Sequence, residues 1–206
     1  YRDYEDGGFV GNIERGGPCN LETIVFTAHG NGTHTECLGH VVKTTYYVND
    51  CIQDRFYNAL LISLPSQRIG EGHYLDFSHF NKADWKDNMS ALVIRSLPNT
   101  HSKLHMDYSG SNAACIHPDD MQTLVNLGVQ HLLLDLPSVD PEWDEGALAS
   151  HHIFWQTNNK PRTTASITEF IYAQDQIKDG AYLLKLNIAP FVSDAAPSRP
   201  TLYPLN

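Results

Sequence analysis

From Leu21 onward the chain is built of short apolar runs separated by polar, Gly- and Pro-containing stretches. LETIVFTA (residues 21–28) alternates and is β-branched, which predicts a strand. ALLISL (59–64), ALVIRSL (91–97), VQHLLLDL (129–136) and YLLKLNIAPF (182–191) are four more runs of strand length. Between the third and fourth runs, HPDDMQTLVNLG reads as a helix. Pro118 and two aspartates open it, Met121, Leu124 and Val125 share one face, and Gly128 closes it. DEGALASHHIFWQ (144–156) is a second helical segment, ended by the TNNKPRT loop. The opening YRDYEDGGFVGNIERGGPCN, rich in Gly and charge, reads as irregular. This organisation predicts residues 1–20 as an irregular N-terminal segment and 21–206 as a single α/β domain, a mixed β-sheet packed by helices.

Composition narrows the function classes. The 206 residues are 41% hydrophobic, enough for a core. Asp and Glu outnumber Lys and Arg by 24 to 14, a net charge of -10, and no basic run occurs, which argues against nucleic acid as partner. No apolar run approaches the roughly 18 to 20 residues of a membrane span, so no membrane partner is expected. The chain starts at Tyr1 with no signal pattern, which reads as a trimmed cytoplasmic chain. Cys19, Cys37, Cys51 and Cys115 form no C-x-x-C pair and read as free thiols.

The densest chemistry lies in TAHGNGTHTECLGH (27–40), where His29, His34, Glu36 and His40 fall within twelve residues. On an extended segment His34 and Glu36 point to one face, so one ion could take both, while Cys37 points to the other. His40 follows Gly39, where a turn could fold it back over the same pocket. Spacing alone leaves two readings open, a metal site or a chance cluster among eleven histidines.

GTHTECLGH resembles the signature H-x-G-T-H-x-D-x-x-x-H of the cyclase family of metal-dependent hydrolases, whose members include bacterial kynurenine formamidase and isatin hydrolase. GVQHLLLDLPSVDP resembles the family's second motif, a strand ending in a D-x-P-S-x-D loop, here Asp135, Pro137, Ser138 and Asp140. A histidine and a glutamate follow in the family's order, His151 in SHHIFW and Glu169 in ASITEFI. The likeness runs from Leu21 to the C-terminus, where YLLKLNIAPF precedes a small-residue loop and Arg199. An N-terminal Asp-Leu-(Ser/Thr)-His stretch of the family has no counterpart, Glu36 replaces the family's Asp, and His29 stands five rather than four residues before His34.

The resemblance implies a swivelling β/β/α-like cyclase fold, with His34, Glu36, His151 and Glu169 as metal ligands and His40 as the residue that exchanges a proton with substrate. His29 joins the ligands if a bulge at Gly30-Asn31-Gly32 rephases it, since an odd separation on a regular strand would turn it away. Asp135, Ser138 and Asp140 are expected to support the site by shaping the loop that ends a buried strand. His151 is preferred to its neighbour His152, because it precedes IFW as the family's histidine precedes an apolar pair, and adjacent helical residues face about 100° apart. A mixed imidazole and carboxylate set suits a divalent metal, zinc first and manganese second.

The activity implied is hydrolysis of a small amide, arylformamide or cyclic amide in type, acting on a C–N bond other than a peptide bond, with metal-bound hydroxide as nucleophile. No G-x-S-x-G motif offers another nucleophile. A homodimer or homotetramer is expected by the same likeness. The competing reading is a cyclase-like protein, weak or inactive, that binds a small acid or metal.

Overall fold

The computed structural model describes residues 2–52 and 56–205. It divides into two compact units, Tyr1–Asn31 and Gly32–Asn206. The first unit holds two-residue strand pairs, Arg2–Asp3 with Glu22–Thr23 and Glu5–Asp6 with Phe9–Val10. LETIVFTA is therefore not the strand its alternation predicts. Only Glu22 and Thr23 pair, while Ile24 is 68% and Val25 86% exposed. Alternation marks a strand only where a neighbouring strand takes its backbone groups and a core takes its apolar face.

The second unit is an α/β fold on one eight-stranded mixed sheet. Its strands are β1 (His34–Glu36), β2 (Phe56–Leu64), β3 (Ala91–Ser96), β4 (His131–Leu134), β5 (Ser166–Glu169), β6 (Gly180–Lys185), β7 (Ala195–Pro197) and β8 (Thr201–Pro204). They lie in the order β7-β1-β5-β4-β3-β2-β6-β8. The four central strands β2 to β5 run parallel, and antiparallel strands flank them on both sides. Parallel strands are covered on both faces, which is why their sequences read as continuous apolar runs. Leu60, Ile62, Leu92, Ile94, Leu132 and Leu134 feed one core layer, and Leu61, Val93 and Leu133 the other.

Two helices cover the first layer. Helix α1 (Pro118–Asn126) begins with proline at its first turn and two aspartates near its N-terminus, and buries Met121 and Leu124. Helix α2 (Ala149–Trp155) is shorter than the apolar pattern predicts. The preceding Asp144–Ala147 segment forms a turn in which the Asp144 carboxylate accepts from the backbone of Gly146 and Leu148. Phe154 and Trp155 are core residues without exposure, and Trp155 Nε1 donates to the Ala165 carbonyl at 3.0 Å. All four cysteines are free thiols. Among the described residues no helix is long and apolar enough to cross a membrane.

Candidate metal centre

The central fact of β1 is its pairing with β5. The register sets His34 opposite Glu169 and Thr35 opposite Thr168. Residues directly opposite share a face, so His34, Glu36 and Glu169 all emerge on the helix-covered side of the sheet. On the other side the two threonine hydroxyls meet at 2.8 Å. From the helix layer, α2 delivers His151 to the same place. His34, Glu36, His151 and Glu169 are all at most 4% exposed.

Both imidazoles are held from behind. His34 Nδ1 donates to the Gly32 carbonyl at 3.0 Å, and its Nε2 lies 3.4 Å from Glu169 Oε2. His151 Nδ1 donates to Asp140 Oδ2 at 2.6 Å, and its Nε2 lies 3.1 Å from Glu36 Oε1 and 3.9 Å from Glu169 Oε1. Tying Nδ1 to an acceptor fixes the tautomer, so that in the neutral ring the Nε2 lone pair faces the cluster. Metal-ligating histidines are arranged in this way.

The electrostatics point the same way. Burial would lower both imidazoles, but Glu169 raises His34, and Asp140 together with Glu36 pushes His151 up to about 10. Burial and then the charge of Glu36 raise the Glu169 carboxyl, against His34 and His151. Two buried carboxylates that repel each other between imidazoles form a cage for positive charge. Oxygen and imidazole nitrogen donors fit zinc or manganese, so the residues present fit a divalent cation.

His40 stands at the edge of this cluster. It is the last residue of a single 3₁₀ turn (Leu38–His40), with Nε2 3.8 Å from Glu36 Oε2 and Nδ1 3.5 Å from Asp194 Oδ2. At 27% its side chain is far more exposed than the four buried residues. Glu36, His40 and His151 each offer a donor atom, and these atoms lie within 4.8 Å of one another. Cys37 faces the other core layer, where its thiol reaches the Tyr46 carbonyl at 3.5 Å. His152 turns instead to Thr157 Oγ1 at 2.8 Å.

His29 belongs to the N-terminal unit. There Gly30 and Asn31 donate to the Thr27 carbonyl, and the Asn31 side chain accepts from the Thr27 amide at 2.6 Å. The strand begins only at His34, so a turn, not the bulged strand that was expected, sets the direction of His29.

The supporting residues divide. Asp140 does more than shape a loop. Its carboxylate caps α2 by accepting from the amides of Ser150 at 2.7 Å and His151 at 3.0 Å while holding the His151 ring. Ser138 Oγ accepts from the Asp140 amide at 3.1 Å. Asp135 serves a neighbouring strand instead of its own loop, accepting from the Ser96 amide at 2.9 Å and from Lys103 Nζ at 2.8 Å. Lys103 and Asp194 were not singled out from the sequence. Their partners lie 32 and 154 positions away, and nothing local in the sequence marks them.

The sequence pattern of the Cyclase family matches residues 5–141. The chain belongs to the Cyclase family. A kynurenine formamidase from Paracidovorax citrulli is 26% identical to it over 186 residues, covering 90% of this chain and 80% of that protein. The structure of a potential metal-dependent hydrolase with cyclase activity superposes with a TM-score of 0.63 at 17% identity, covering 87% of this chain and 81% of the other. Isatin hydrolase A from Labrenzia aggregata, bound to benzyl benzoate, gives 0.59 at 11% identity, covering 90% and 77%. At such identities the two structures establish the cyclase-type α/β fold.

Proposed function

We propose that this Cyclase-family chain is a metal-dependent hydrolase of a small amide, arylformamide or cyclic amide in type. The observation that carries the reading is the pair of buried imidazoles, His34 and His151, each anchored at Nδ1 and turning Nε2 toward two buried glutamates. His34, Glu36, His151 and Glu169 would hold the ion, with zinc first and manganese second. His29 joins them on the strength of the sequence likeness. The kynurenine formamidase relative supports the substrate class. A divalent ion held there supplies Lewis acidity to a water and to an acyl carbonyl.

The chain's own residues do the rest. Asp140 keeps the His151 ring in one orientation and one tautomer. His40, flanked by the carboxylates of Glu36 and Asp194, holds a proton where a leaving amine can reach it. Buried Trp155 stacks on His151 with ring centroids 5.7 Å apart and closes the back of the cluster to water. A homodimer or homotetramer is part of the proposal.

Elemental mass spectrometry of protein purified without chelator tests it, paired with hydrolysis assays on arylformamides and cyclic amides. The expected result is about one or two zinc or manganese ions per chain, lost in His34→Ala. His40→Ala should keep the metal and lose turnover about a hundredfold or more. Bound metal with no turnover on any amide would leave the weak or inactive reading in its place.

A further inference from the structure

A cavity of about 760 Å³ opens on the face of the sheet opposite the metal cluster. The register proves the opposition. Val93 pairs with Leu133, Leu133 with Thr168, and Thr168 with Thr35, so these four residues share one face. His34, Glu36 and Glu169 alternate with them onto the other. Over the buried Val93, Leu133 and Leu184, the half-buried Ile171, Ile177 and Leu202 present apolar surface to the cavity, and none of the five clustered residues His34, Glu36, His40, His151 and Glu169 lines it.

The wall is built in advance of any ligand. Buried Arg95 donates to the carbonyls of Gln174 and Ile177 and to Asp179, each at 2.8 Å. Asn99 donates to the Ala173 carbonyl at 3.0 Å and to Asp175 Oδ1 at 2.6 Å. Five bonds therefore fix the 173–179 loop, and they engage the Asp175 carboxylate that lies in the lining. Across the mouth, His101 meets Tyr172 edge-on with ring centroids 6.2 Å apart.

Among the described residues, nothing engages the side-chain polar groups of Ser198 and Arg199 in the lining. Ser198 Oγ is buried with no hydrogen-bond partner among the described residues. The exposed guanidinium of Arg199 makes no hydrogen bond or ion pair with another described residue. A buried hydroxyl without a partner costs free energy unless a ligand satisfies it, and a guanidinium presents a fork that matches a carboxylate. The volume lies in the range of small-molecule sites.

We infer that this cavity binds a small carboxylate with an apolar, ring-sized body, its carboxylate on Arg199 and Ser198 and its body on Ile171, Ile177 and Leu202. The site is separate from the metal cluster and does not depend on the proposed hydrolysis.

The test is fluorescence or calorimetric titration of the intact chain with 1-naphthylacetate, beside the uncharged 1-naphthaleneethanol. Saturable naphthylacetate binding is expected. In Arg199→Gln, a substitution at an exposed position, it should weaken about tenfold while naphthaleneethanol binding stays constant. Ser198→Ala should weaken naphthylacetate about threefold. His34→Ala should leave it unchanged whether or not that variant has lost metal, which separates this inference from the proposed enzyme. Absence of saturable binding, or binding lost in His34→Ala and retained in Arg199→Gln, overturns the inference.

Discussion

Two imidazoles in this chain are almost equally hidden and are driven in opposite directions. His151 is 2% exposed and His131 4%. Burial lowers both, because a desolvated imidazolium is costly. Around His151 the carboxylates of Asp140 and Glu36 reverse that, pushing it up to about 10. Around His131 no carboxylate among the described residues answers. Its Nδ1 meets Ser166 Oγ at 2.8 Å, its ring lies 3.9 Å from that of Tyr57, and burial, aided by the charge of Arg162, pushes it down to about 4. Burial sets the scale of the perturbation, and the neighbouring charges set its sign. The first region is organised to keep positive charge, the second to exclude it.

The contrast is broken most severely by His151→Ala, which leaves Glu36, Glu169 and Asp140 facing one another without their imidazole. Metal content should collapse and amide hydrolysis should fall by about a thousandfold or more, read by elemental analysis and initial rates. Asp140→Asn is milder, since it loosens the ring without removing it, and metal affinity should drop roughly 10- to 100-fold in a chelator competition.

His131 tests the other side through stability. Its folded value lies below its ordinary one of 6.5, so on acidification the unfolded chain takes up this proton before the folded chain does. The contribution is therefore complete above pH 6.5 and is lost as pH falls from 6.5 toward 4, by about 3 kcal/mol at roughly 1.4 kcal/mol per unit. Urea unfolding at pH 7 and pH 4.5 should show a steeper loss in the parent chain than in His131→Gln. Equal losses would remove His131 from the account. The smallest effect is expected from Asp194→Asn, which leaves His40 in place but takes away the carboxylate beside Nδ1. The kcat should fall about tenfold with metal content unchanged, and Asp194→Glu should restore part of it.

The same contrast shows what the sequence could reveal. Three of the four central strands, β2, β3 and β4, were legible because strands buried on both faces spell apolar runs, whereas β5 reads SITE and spells none; α1 was legible because Pro118, Asp119, Asp120 and Gly128 mark its ends. His34 and Glu36 were legible as a pair because period-two spacing is local. LETIVFTA misled because alternation says that a strand would have two faces, not that anything covers one. His131 carries no local mark of its fate, since Ser166 and Tyr57 reach it from strands distant in the chain. Asp140 was readable as a loop residue but not as the anchor of His151, because the bond spans eleven positions and depends on where α2 starts.

The pairing of β1 with β5 governs how this family could vary. Three residues of β1 present donor, hydroxyl and donor in turn, and the Thr35–Thr168 hydroxyl contact fixes their phase. Substitution at position 34 or 36 changes a donor and leaves its direction intact. A one-residue shift of the strand's register reverses every direction at once, turning the threonine toward the cluster and the histidine and glutamate away from it. The donor set of β1 can therefore change by exchange of residues, whereas a change of its length is expected to dismantle the cluster.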